Sequence, residues 1–171
     1  MGFLQRIFGA KRQRSWLEPL YTAIVARARD PAWYLQGAVP DTIDGRFDMI
    51  AALLALVLIR MEQEADREAP TLLAEIFIDD MEGSVRQIGI GDLMVGKHVG
   101  RMVGALGGRL AAFRAAAAEG EGFEEAVRRN IYHDSPPSPE ALAFVTARLR
   151  AFHDGLQGLP ATALMSGSLP V

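Results

Sequence analysis

Asp41, Asp44, Asp48 and Arg46 stand directly before the most apolar run of the chain, residues 49–59. The three acids fall at i, i+3 and i+7, close to one face of a helix that includes them all. Acids grouped this way, with Asp79 and Asp80 further along, are the oxygen ligands a hard cation such as Mg²⁺ takes when it holds a diphosphate. The same carboxylates have a plainer use, since acids at a helix N-terminus accept orphan N–H groups and oppose the dipole favourably. A prenyl-transfer type of site needs two facing acidic motifs and a deep apolar cavity, and 171 residues is short for that. The expectation is therefore that the carboxylates cap and solvate the start of a buried helix. Arg46 is expected on the surface beside them, as part of a recognition face.

Other chemistry is thinly represented. His98, His133 and His153 are far apart, and none has a second ligand three or four residues on. No serine sits in a nucleophile elbow, and IGIG and ALGGR lack the preceding strand and lysine-serine pair of a phosphate loop. His98 and Met102 are spaced as neighbours on one helix face, whereas axial haem ligands must approach opposite faces of the iron. The chain is read as a non-enzyme with no catalytic residue, metal or other cofactor.

The elements that position these residues are helical. Ser15 and Glu18 read as a capping box for a helix over 16–28, with Leu17, Leu20, Tyr21, Ile24, Val25 and Ala28 on its buried face. Asp30-Pro31 opens a short helical piece through Leu35. A second long helix starts within residues 41–44 and runs to about 65; beyond Met49 it is apolar on every side, the mark of a central helix. Pro70 separates it from a third helix over 71–88, with Leu72, Leu73, Ile76, Phe77 and Met81 inward. A glycine-set break follows, and Asp92 is placed to cap a fourth helix over 93–118. Its apolar stripe is Val95, Val99, Met102, Val103, Leu106, Leu110 and Phe113. A shorter helix covers 123–131. Ser138 and Pro139 then start a last helix carrying Leu142, Val145, Leu149, Phe152 and Leu156. Residues 158–171 read as an extended or disordered tail. The fold expected is all-α, a single-domain bundle of about six helices around a buried helix near residues 44–65, with residues 15–157 as its domain.

Composition sets outer bounds. Half of the residues are hydrophobic, and the net charge of -3 argues against nucleic acid as the main ligand. Absence of cysteine excludes disulfides and thiolate chemistry. The apolar run at 49–59 is too short to span a bilayer, which takes about 20 residues. Residues 1–14 carry four cations and no acid. There Phe3, Leu4, Arg6, Ile7 and Phe8 form a weak candidate for peripheral membrane contact, with a frayed terminus as the alternative.

The fourth helix has one further oddity. Gly96, Gly100, Gly104 and Gly108 recur every four residues, flanked by Lys97 and Arg101. Interior helix glycines cost roughly 0.8–1 kcal/mol each relative to alanine. Something must gain from the missing side chains, either a partner helix docking outside or a neighbour packed closely inside.

Several separated blocks carry a resemblance in order. VPDTID followed by GRFDM, then DDMEGSVRQIGIGDLMVGKHV, and LYTAIVARARDPAWY before both, resemble the ubiquinol–cytochrome c chaperone family in its shorter bacterial form. The likeness covers residues 16–131. It implies an all-α assembly factor that binds newly made cytochrome b and promotes assembly of the ubiquinol–cytochrome c reductase (bc₁) complex. The ribosome and a small helical partner protein are further partners it implies. Matching positions carried over as partner-binding surface are Asp41, Asp44, Gly45, Arg46, Phe47, Asp48, Gly91, Asp92, Gly96 and Lys97, to which Arg101 is added. The family commonly has bulkier or charged residues where this chain reads GRMVGALGGR, so the glycine stripe is read as peculiar to this relative. A long mitochondrial extension is missing. With the alanine- and arginine-rich composition, this leads to the expectation of a bacterial protein, soluble or peripheral, at the cytoplasmic side of the inner membrane.

Overall fold

The computed structural model describes residues 15–64, 66–87, 89 and 91–171. Among them there is no strand, and the chain is an all-α single domain. In order come α1 (Glu18–Ala28), α2 (Pro31–Leu35), α3 (Ile43–Met61), α4 (Glu68–Gln87), α5 (Asp92–Glu119), α6 (Phe123–Val127), α7 (Pro139–Gln157) and α8 (Ala161–Met165). The expected membrane-contact residues Phe3, Leu4, Arg6, Ile7 and Phe8 lie outside the described residues.

Helix α3 is the axis of the bundle, as its all-round apolarity requires. Every residue from Met49 to Met61 is buried, and α1, α4, α5 and α7 all pack against it. The carboxylates do not cap it. Thr42 does, its hydroxyl accepting the Gly45 N–H at 3.1 Å, because a β-region residue immediately before the first turn meets the orphan donors most directly. Gly45 has its own reason: a Cβ there would lie 1.9 Å from the Pro40 carbonyl oxygen. At the far end, buried Arg60 donates to the carbonyls of Leu156 (3.1 Å) and Leu159 (2.9 Å), tying α3 to the end of α7.

Several boundaries differ from the sequence expectation for local reasons. Helix α1 begins at Glu18 with Leu17 as N-cap and no side-chain cap bond, so the Ser15–Glu18 capping box does not form. Leu17 is fully buried and Pro19 occupies the first turn, which together set the start. Helix α4 begins before Pro70 because the Asp66 carboxylate accepts from the Glu68 N–H at 2.8 Å and the Ala69 N–H at 3.3 Å. Pro70 then falls in the first turn, where a missing N–H costs nothing. Gly91, rather than Asp92, is the N-cap of α5. Helix α6 passes into a π-helical turn, Arg128–Tyr132, that ends at His133 with φ +48°.

The tail is not extended. It carries α8, whose Leu164 is fully buried, and Arg27 donates to the Pro170 carbonyl. Gly167, at φ +89°, lies so close to Pro19 that a Cβ would meet its carbonyl oxygen at 2.8 Å. By contrast, the cap of α7 follows expectation: Ser138 accepts from Ala141 N–H at 3.2 Å and all five expected apolar residues are buried.

Candidate functional site

The N-terminal turn of α3, the last turns of α4 and the middle of α5 enclose a cleft of about 270 Å³. Its apolar lining is Ile43, Phe47, Ile50, Met81, Val85 and Met102, with Asp44, Asp80, Arg29 and Arg46 among its polar lining. Ile43 is 63% exposed at the first helical position, an aliphatic side chain the core does not cover. Phe47 is half-buried, tilted against Phe77 with ring centroids 5.6 Å apart, and the Arg109 guanidinium lies over its ring, 5.5 Å from the centroid.

Arg46 is exposed and held by Asp41 at 2.7 Å. That hydrogen bond, with the Asp41 charge, raises the guanidinium above its usual value, so Arg46 stays cationic throughout. Tyr21 donates its hydroxyl to Asp80 at 2.7 Å, and burial pushes the phenol far up, so it remains a donor. Asp44 is exposed and has no ion-pair partner among the described residues.

Asp48 is the main correction to the sequence reading. Instead of being solvated at the helix start, it is 5% exposed and forms an ion pair with Arg109 of α5. Its second oxygen meets His133 Nε2 at 2.9 Å, and Arg109 also donates to the Asn130 carbonyl at 2.9 Å. Burial raises the Asp48 carboxyl above the ordinary carboxylate range, opposed by Arg109 and His133, and burial lowers the guanidinium, opposed by Asp48. Arg109 Nε finds no acceptor among the described residues. One carboxylate thus joins α3, α5 and the π-turn. The turn of α3 that looks from sequence like an acidic strip is split: Asp41 and Asp44 face out, Asp48 faces in. No group of three or more metal-ligating side chains comes together among the described residues.

Gly91, Gly96, Lys97 and Arg101 are exposed on the first half of α5, and Asp92 is its first residue. The glycine stripe does not serve packing among the described residues, where a Cβ at Gly96, Gly100, Gly104 or Gly108 would meet nothing within 4 Å. Val103, expected inward, is 43% exposed beside it, since Leu106, Arg109 and Phe113 define the buried line. Of the expected surface, the structure brings Asp44, Arg46 and Phe47 together at the cleft with Asp41 beside them, while Gly45 and Asp48 are buried. The contributions of Met81 and Met102 were not visible as a site, because each reads in sequence as an ordinary buried-stripe residue, and Val85 was not singled out at all.

The described residues form an all-α domain with an accessible, partly apolar cleft at the start of α3. The family model for the ubiquinol-cytochrome C chaperone matches residues 36–171, and the chain belongs to that family. The crystal structure of the Cbp3 homolog from Brucella abortus is similar to it, with a TM-score of 0.80 and 29% identity, covering 98% of this chain and 95% of that one. No curated protein matches the chain. Among the described residues, no helix is long and apolar enough to cross a membrane.

Proposed function

We propose that the chain binds newly made cytochrome b and promotes its assembly into the ubiquinol–cytochrome c reductase complex. The observation that carries this reading is the family match over residues 36–171, which takes in the whole α3–α7 framework and nearly all of the cleft at the start of α3. A chaperone of an apolar client needs an accessible apolar surface and no reacting groups, and the cleft with its exposed Ile43 meets the first requirement. On this reading the protein is not an enzyme. It works at the cytoplasmic side of a bacterial inner membrane, peripherally, with the ribosome and a small helical protein as further partners. Asp41, Asp44, Arg46 and Phe47 form one part of the recognition surface, and Gly91, Asp92, Gly96, Lys97 and Arg101 the other.

Photo-crosslinkers placed at Arg46 and Lys97 in the native cell, read by mass spectrometry, test it. Cytochrome b among the products, with loss of the assembled complex on gene deletion, is the expected result. Crosslinks to soluble proteins alone, with the complex intact after deletion, would leave a helical adaptor with a different partner. Arg46→Ala should retain its helical circular dichroism and melting behaviour, since the Asp41 pair is exposed, while client capture falls.

A further inference from the structure

The cleft between α3, α4 and α5 has features that a general apolar surface lacks. Its two methionines, Met81 and Met102, are adaptable, polarisable side chains that conform to differently shaped apolar groups. Ile43 stands exposed at its edge, and Phe47 forms part of its lining. The charge at the edge is unbalanced. Arg46 is neutralised by Asp41, which leaves Asp44 and Asp80 against Arg29, a net negative rim. A volume of about 270 Å³ holds one bulky side chain rather than a whole helix.

The geometry points to a specific occupant: one large apolar side chain at the end of a hydrophobic client helix, with a lysine or arginine next to it paired to Asp44. This rests on the chaperone reading and deepens it by naming what the cleft recognises. The combination is the chemistry of a membrane-spanning segment where it emerges on the cytoplasmic side, since such ends carry an excess of basic residues. Charge complementarity therefore sets orientation as well as affinity: the apolar anchor enters the cleft and the basic flank stays at the Asp44 edge. An acidic flank is rejected there by like charge.

The test uses the full chain and two synthetic peptides, each an apolar helix with a terminal phenylalanine, one flanked by two lysines and the other by two glutamates. Binding is read by fluorescence anisotropy and by methyl NMR of ¹³C-methionine protein. The lysine-flanked peptide should shift the Met81 and Met102 methyls and leave the buried Met49 and Met61 in place. It should bind about fivefold more tightly than the glutamate-flanked one, the size expected for exchanging an exposed attraction for a repulsion. Asp44→Lys should reverse that preference, and Ile43→Asp should weaken both peptides; both positions are exposed, so folding is retained. Binding indifferent to flank charge, or shifts that miss Met81 and Met102, would overturn the assignment. Failure is separable from failure of the chaperone reading: assembly of the complex that survives Ile43→Asp and Asp44→Lys but not gene deletion refutes the cleft alone.

Discussion

Asp48 shows how one side chain can be chemically suggestive and structurally committed at once. Its carboxylate is buried against Arg109, and His133 reaches it from the turn after α6. Removing one member of a buried pair leaves the other uncompensated, so Arg109→Met should lower stability by about 3–5 kcal/mol. The double variant Asp48→Leu with Arg109→Met should recover most of that loss, because the desolvation cost disappears along with the attraction. Urea unfolding of the three proteins measures both; a double variant as unstable as the single would show that the pair supplies more than it costs. The neighbouring Gly45 makes a different argument. With Pro40's carbonyl 1.9 Å from the position of a Cβ, Gly45→Ala should cost about 1–3 kcal/mol through forced backbone movement. These two residues belong to the GRFDM block for structural reasons, and the accessible part of that block is Arg46, with Phe47 half-covered.

Helices respond to their ends and to their exposed faces. Asp30 caps α2 through the Ala32 N–H and is gripped by Arg148 at 2.8 Å. The Arg148 hydrogen bond, aided by the Ala32 N–H, holds its carboxyl below the ordinary carboxylate range. A depressed folded-state value means the unfolded chain takes up protons first, so this stabilisation is present above about pH 4 and is lost as pH falls through the folded value. Asp30→Ala should cost about 1 kcal/mol at neutral pH and flatten the acid limb of the stability curve, measured by thermal melts from pH 7 to 3. On α5 the expected direction is opposite. Gly100→Ala and Gly104→Ala place methyl groups clear of every described residue, so each should raise stability by about 0.5–1 kcal/mol. Destabilisation in both would mean that the stripe is covered in the folded protein.

For the molecule as a whole, the segment after α7 closes the fold. Leu164 is fully buried although it lies near the end of the chain, and Leu164→Ala should cost about 2–4 kcal/mol in chemical unfolding, as at any collapsed core position. Fold class, the central place of α3 and the inward faces of α1, α4 and α7 were legible in the residues, because apolar spacing is a local property that the core then obeys. The Ser138 cap and the Asp30–Pro31 start were legible for the same reason. The tail was not, since small uncharged residues carry no periodic signal and their burial depends on Pro19, Gly155 and Arg27 lying opposite. Nor was the inward turn of Asp48, which depends on an arginine 61 residues away. The sequence by itself determined an all-α bundle, its axis and its family, through helical periodicity and ordered motifs. Tertiary structure alone decided which residues of one acidic turn face solvent, that no described residue covers the glycine stripe, and that Ile43, Met81 and Met102 share a cleft. Those are relations between distant segments, set by packing rather than by any local pattern.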